Sequence, residues 1–263
     1  MTAPSIFISH GSPMFALEPG LLGPNLRAIG QSLRGIAAVL VVSPHWQTQG
    51  VRVGVSAAPE TIHDFGGFPP PLYQLQYPAP GAPGMAQDAA RLLTLAGFPV
   101  TFDERRGLDH GAWVPLRYLF PDAAVPVFQV SLPHDIDAAG ALRLGRALAP
   151  LRERGVLVVG SGSLTHNLYE FRQHIRDPEY AQQFVDWIRA AVAARDVEAL
   201  VDYRRRAPHA QRAHPTEEHY LPLLVAVGAS ADTDPARLVE GGMTYGVLSM
   251  DSFAFGLPDA GPG

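Results

Sequence analysis

Five histidines sit just after apolar runs or inside Gly/Pro-punctuated turns: His10 in ISHGSPM, His45 in VVSPHW, His110 in GLDHGAW, His166 in VGSGSLTHN and His219 in HPTEEHYLPLL. A neutral imidazole offers one lone pair while its other nitrogen is anchored by a neighbour. Histidines gathered at one sheet edge therefore suit zinc or non-haem iron. The plain alternative for any one of them is a polar residue closing a turn. His10, His45 and His166, however, each follow a predicted strand within a few residues, and ligands of α/β sheets collect beyond the carboxyl ends of strands. Their common placement predicts one shared site.

The other candidates are placed less directly. His110 lies between Asp109 and Gly111 at the entrance of a helix expected to begin near Trp113, with Asp109 as its cap; the functional role open to His110 is a donor aimed at a substrate. His214 and His219 are five residues apart and cannot share a helix face as an i, i+4 pair would, so one ligand is expected from this segment. His219 is expected inside the helix and His214 behind it or against the substrate, with Glu217 and Glu218 as competing oxygen donors. His134, in VSLPHD just after a strand, is placed to reach a bound ligand. Tyr73, Tyr77 and Phe68 offer aromatic faces to a ring, with ordinary loop packing as the alternative. His63, His174 and His209 read as loop or surface residues. GSGSLTHN lacks both the lysine of a phosphate loop and the GxGxxG spacing, and no GxSxG elbow accompanies the SHGSP serine, which argues against nucleotide binding and a Ser-His-Asp hydrolase.

Positioning these residues is the work of short β-branched runs at 5–9, 36–43, 51–56, 99–102, 125–132 and 155–161, alternating with helical patterns at 25–33, 85–96, 114–120, 138–151, 179–201 and 217–227. Continuously apolar runs suit strands covered on both faces. The alternation predicts an α/β fold: a single domain over 1–263, three layers αβα, a mostly parallel or mixed central sheet, and a metal site at the strand C-terminal ends. The proline-rich stretch 66–84 is expected to lack regular structure and to shape the mouth of the site. At 263 residues and 47% hydrophobic the chain can bury a sizeable core. Its net charge of −5 provides no basic field for nucleic acid. With no cysteine, a metal must be held by nitrogen and oxygen. No stretch approaches the roughly 20 apolar residues of a membrane span, and no leader is visible, so a cytoplasmic protein is expected.

Taken together, SHGSPM, VVSPHW, LDHGAWVPL, GSGSLTHN and HPTEEHYLPLLVAVGA resemble the class III extradiol ring-cleavage dioxygenase superfamily, most closely its 4,5-DOPA dioxygenase extradiol branch. The resemblance runs from residue 5 to MTYGVLSMDSFAF. It implies one divalent metal per chain held by His10, His45 and His219, with His166 as acid/base and as a further candidate ligand, and His110 close to the substrate. The wider superfamily has a glutamate as third ligand, so a histidine at 219 departs from the two-His-one-carboxylate pattern and suits Zn(II) as well as Fe(II). The implied reaction is cleavage of a catechol, DOPA-like, with O2 to a muconic semialdehyde. The implied partners are a small phenolic substrate and O2, with no nucleic acid and no membrane, in a monomer or small homo-oligomer. Two other readings use the same histidines: a zinc-dependent hydrolase with Glu217 or Glu218 as base, and a non-enzymatic binding protein on the same fold.

Overall fold

Six strands form where the apolar runs lie: β1 (Ser5–Ser9), β2 (Ala38–Thr48), β3 (Val51–Gly54), β4 (Val100–Asp103), β5 (Val127–Pro133) and β6 (Val156–Gly162). This is a computed structural model, and it describes residues 2–173 and 178–258, so the expectation for His174 lies outside the described residues. Near the C-terminus the chain adds β7 (Ala236–Val239), β8 (Met243–Thr244), β9 (Leu248–Ser249) and β10 (Ser252–Phe255). The stretch MTYGVLSMDSFAF thus folds as the β8–β9 hairpin followed by β10.

The main sheet has the order β4-β3-β5-β2-β6-β1-β10-β7. At its centre β5, β2, β6 and β1 run parallel, while β10 pairs antiparallel with both β1 and β7, and β3 pairs antiparallel with β5. Every residue of β1, β5 and β6 is buried, which is what a strand covered on both faces requires. The mixed αβα architecture is therefore as expected.

One face carries α1 (Leu22–Ser32), the short α2 (Pro70–Tyr73) and, further along the chain, α4 (His110–Leu119), with Leu26, Leu72, Trp113 and Leu116 in their shared core. The other face carries α3 (Pro83–Leu95), α5 (Ala138–Leu148), α7 (Pro178–Ala193) and α11 (Leu221–Ala229), joined through Leu93, Leu144, Phe184 and Leu223. Four short helices lie between the longer ones: α6 (Leu168–Arg172), α8 (Val197–Val201), α9 (Tyr203–Arg206) and α10 (Ala210–Ala213). Among the described residues no helix is long and apolar enough to cross a membrane.

Three expectations are corrected. The helix expected over 179–201 is broken: Arg195 takes a left-handed φ of 55°, and Asp196 accepts a hydrogen bond from Ala199 N, starting α8 afresh. The proline-rich 66–84 stretch does hold regular structure, α2 and the first turn of α3, because prolines in a first helical turn sacrifice no hydrogen bond. The last long helix starts at Leu221 with Pro222 in its first turn, so His219 lies in the turn preceding the helix, closed by Tyr220 N donating to Glu217 O at 2.8 Å.

That turn is pinned to the sheet by backbone contact. A Cβ on Gly160 of β6 would fall 2.0 Å from Pro222 O, and one on Gly162 2.2 Å from His219 O. Ser163 N donates to His219 O at 3.0 Å. The absence of a side chain at these two glycines brings His219 to the strand ends. Replacing Gly160 with alanine is expected to push α11 off β6, at about 1–3 kcal/mol for an overpacked core, and to lower the thermal midpoint by roughly 3–10 °C. Circular dichroism melting checks this, and an unchanged midpoint contradicts the close approach.

Candidate metal centre

Each of the five histidines arrives from a different element. His10 is the residue after β1, and its amide donates to Gly162 O at 2.8 Å. His45 lies within β2 where the pairing with β5 slips between Val42 and Gln47, a bulge that re-aims the side chain toward the strand ends. His110 is the first residue of α4, His166 lies four residues beyond β6, and His219 is in the turn before α11. Their rings converge. Centroids are 4.0 Å apart for His45 and His110, 5.0 Å for His10 and His45, 5.1 Å for His45 and His219, and 5.5 Å for His10 and His219. His166 stacks on His219 at 3.4 Å.

Hydrogen bonds settle which nitrogens are bare. The single Ser161 hydroxyl proton goes to the carbonyl of Gly111, so Ser161 Oγ must accept from His10 Nδ1 at 2.9 Å. His110 Nδ1 faces Asp64 Oδ1 at 3.0 Å, and His219 Nδ1 faces Glu218 Oε1 at 3.1 Å; both partners are acceptors. All three imidazoles thus carry a proton on Nδ1, and His10 and His219 leave Nε2 as a free lone pair, the arrangement of a metal ligand held by an outer oxygen. His10 Nε2 and His45 Nε2 are 3.0 Å apart, a spacing that serves two ligands of one cation. The donor set fits a divalent metal. Among the described residues two compact groups of ligand atoms are present, His10 with His45 and His110, and His166 with Glu218 and His219.

Electrostatics favour neutral rings. Burial, followed by the mutual proximity of the histidines, drives His10 and His219 far below the ordinary imidazole range. Burial and the neighbouring His110 bring His45 to about 3, and burial brings His166 to about 4. Asp64 behaves oppositely: burial pushes its carboxyl up, but hydrogen bonds and charge from His110 outweigh that and lower it to about 2. It stays an anion beside two histidines, 3.9 Å from His45 Nδ1.

Above these rings opens a cavity of about 390 Å³, with His45, His110, His166 and His219 on its floor and Phe65, Phe68 and Phe171 among its walls. Phe68 thus reaches the site, while Tyr73 stands one layer back, packed on Phe65 at 5.3 Å with its hydroxyl accepting from Phe68 N. Tyr77 is buried, its hydroxyl donating to Phe120 O. His134 is outside the cavity, exposed and paired with Gln47 Oε1 at 3.2 Å. His214 is fully buried behind the site among Phe184, Tyr203 and Tyr220, and its Nε2 bonds Leu164 O at 2.9 Å. Glu217 pairs with Arg204, leaving Glu218 as the carboxylate at His219. His209 is paired with Gln183 away from the site, whereas His63 bonds Leu75 O and stands behind the cavity wall, edge-on to Phe65.

Two carboxylates matter beyond what the sequence suggested. Asp64 was not singled out, because its partners lie far along the chain and no local spacing marks it. Asp109 occupies the cap position of α4 but makes no side-chain cap. Instead, fully buried, it accepts from Ser43 Oγ at 2.8 Å and Gln129 Nε2 at 2.9 Å, and meets Arg106 Nη2 at 3.4 Å. Ser43 in turn accepts from His45 N. Asp109 therefore joins the β2 bulge to the start of α4, holding His45 and His110 in register.

Residues 5–255 match the family model described as the catalytic LigB subunit of aromatic ring-opening dioxygenase. The chain is 38% identical over 263 residues to the 4,5-DOPA dioxygenase extradiol of Beta vulgaris, covering 95% of this chain and 96% of that protein. It is 40% identical over 259 residues to the Escherichia coli K12 protein of the same name, covering 96% and 94%. The crystal structure of an uncharacterized protein from Escherichia coli K12 superposes with a TM-score of 0.80 at 35% identity, over 96% of this chain and 99% of that one.

Burial of neutral imidazoles has a measurable consequence at His214, whose pKa is lowered from 6.5 to about 3, chiefly by desolvation. Below about pH 6.5 the unfolded chain takes up a proton that the folded chain refuses, so stability falls with pH until about pH 3. In metal-free protein, His214→Gln is expected to reduce the slope of unfolding free energy against pH between 4 and 6 by one proton, about 1.4 kcal/mol per pH unit. Urea titrations across that range measure it, and an unaltered slope refutes a neutral buried His214.

Proposed function

The chain belongs to the LigB family and is an aromatic ring-opening extradiol dioxygenase, and from that premise we propose that it cleaves a catechol bearing a DOPA-like side chain to a muconic semialdehyde. The supporting observation is the convergence of five imidazoles, three with Nδ1 facing an oxygen, of which four floor an aromatic-walled cavity. Relatives named for 4,5-DOPA cleavage over almost the whole chain support the side chain.

In this proposal His10, His45 and His219 hold the metal, Fe(II) for activity, with Zn(II) also suited to an all-nitrogen set. When bound, such an ion supplies Lewis acidity toward the two diphenol oxygens and an electron relay between ring and O2. His166 is the general base: burial keeps it neutral at pH 7, and its position at the cavity floor lets it take a hydroxyl proton from the catechol and return it later in the cycle. His110 faces the same space with its Nδ1 proton held by Asp64, which orients the ring and keeps Nε2 directed at the substrate. Phe65 and Phe68 cover the catechol plane and exclude water. Family membership sets aside the zinc-hydrolase and binding-protein readings.

His10→Ala, His45→Ala and His219→Ala are expected to lose bound metal, measured by elemental analysis after Fe(II) or Zn(II) loading, whereas His110→Ala and His134→Ala retain it. Retention by His219→Ala together with loss in His110→Ala assigns the third ligand to His110 instead. His166→Ala is expected to keep its metal while oxygen uptake with L-DOPA falls about 10²–10⁴-fold, the range of a lost general acid–base group. Asp64→Asn is expected to weaken metal affinity or activity roughly 10–100-fold, as for other groups that orient ligands. Wild-type protein that holds Fe(II) yet consumes no oxygen with any diphenol overturns the proposal.

A further inference from the structure

A carboxylate among the ligands of a non-haem Fe(II) oxygenase both binds the ion and answers one of its charges. His10, His45 and His219 offer three lone pairs but, as neutral rings, no charge. Both positive charges of a divalent ion must then be answered from outside the ligand set, and the three rings differ in what stands behind them.

His10 Nδ1 faces the neutral hydroxyl of Ser161 at 2.9 Å. Asp64 Oδ2 is 3.9 Å from His45 Nδ1, beyond hydrogen-bond distance, and Oδ1 of the same carboxylate is taken by the amide and Nδ1 of His110. Glu218 Oε1, in contrast, lies 3.1 Å from His219 Nδ1. Of the three rings, His219 alone hydrogen-bonds a carboxylate among the described residues.

That carboxylate is kept for this contact. Thr216 Oγ1 donates to the same oxygen at 2.9 Å. The neighbouring Glu217 takes Arg204 Nε at 2.9 Å, and the other nitrogens of that guanidinium go to the carbonyls of His214 and Pro215. Among the described residues Glu218 pairs with no basic side chain other than His219, so its charge is not neutralised locally. The turn is also fixed in place, because Ser163 N donates to His219 O at 3.0 Å and the bare Gly162 lies against that carbonyl. The Glu218 charge reaches further: at His45 and His166 burial lowers the pKa, and Glu218 acts against it.

A carboxylate hydrogen-bonded to the outer nitrogen of a metal-bound imidazole raises the basicity of the inner one. We propose that Glu218 is a positioning residue that supplies, through His219, the negative charge the all-imidazole set lacks, tightening divalent metal binding and favouring Fe(III) relative to Fe(II). The proton stays on His219 Nδ1, with Glu218 as its acceptor. The inference rests on the reading of His219 as a ligand and deepens it by naming the group that tunes the ion.

The test compares three variants of the full chain. Glu218→Gln keeps size and an acceptor but removes the charge, Glu218→Asp keeps the charge, and Glu217→Gln removes the neighbouring charge paired with Arg204. Competition with a chromophoric chelator gives Zn(II) affinity, and a mediated titration gives the Fe(III)/Fe(II) potential, both without turnover. Glu218→Gln is expected to weaken Zn(II) binding roughly 10–100-fold. Its potential is expected to rise, by about 59 mV for each tenfold of ferric preference lost. Glu218→Asp is expected to recover part of both effects, and Glu217→Gln to match wild type in both. A residue that only shapes the turn would lower the melting temperature in Glu218→Gln without moving affinity or potential. That result overturns the proposal, as does metal retained by His219→Ala, while oxygen uptake by wild type keeps ring cleavage intact. Shifted affinity and potential in Glu218→Gln, with no oxygen uptake by wild type on any diphenol, support the role of Glu218 and overturn the catalytic reading instead.

Discussion

Imidazoles crowd around one cavity most readily when they are neutral, and the molecule is organised to keep four of these five so. Burial disfavours the protonated rings, and each protonation would also repel its neighbours, which is why His10, His45, His166 and His219 all have depressed pKa values. Neutrality leaves a ring with one proton and one lone pair, and the outer oxygens of Ser161 and Glu218 decide which nitrogen has which in His10 and His219, while Asp64 holds Nδ1 of His110. Lone pairs collected in this way make a cation site. The requirement propagates outward: Ser161 must be spared as an acceptor, and Gly111 O serves that need by taking its proton.

The backbone meets the same requirement by close approach. Glycines on β6 let the turn before α11 lie directly against the strand, and the β2 bulge lifts His45 out of the regular pleat. Asp109 then ties that bulge to the first turn of α4 through Ser43, Gln129 and Arg106, a buried network in which both carboxylate oxygens of Asp109 meet donors. A half-satisfied version of it would cost more than an apolar core in the same place. Asp64 is drawn from the proline-rich side of the site to reach His110 and the edge of His45. The five histidines, from five separate segments, are thus held by short polar links on an apolar three-layer frame, the condition for one reproducible site geometry.

The sequence was legible where its signals are local. Continuous β-branched runs marked all the central strands because burial on both faces demands them, and His10, His45 and His166 could be grouped because strand ends in such sheets lie together. Boundaries set by single residues were harder: the break at Arg195 and the late start of α11 at Pro222 turn on one backbone angle and one ring. His134 and His214 illustrate the same limit. Both follow the local pattern of a site residue, yet one faces solvent and the other is enclosed by Phe184, Tyr203 and Tyr220.

By itself, then, the sequence determined the layer architecture, the chemistry of the donor set and the order of the motifs, since these follow from residue type, hydrophobic periodicity and the lack of cysteine. Only the tertiary structure decided which nitrogens are bare and that Asp64 and Asp109 hold the histidines. Those facts depend on pairs such as His10 with Ser161, 151 residues apart, or His110 with Asp64, 46 residues apart. A hydrogen bond is made at under about 3.5 Å in space, and no spacing along the chain encodes it.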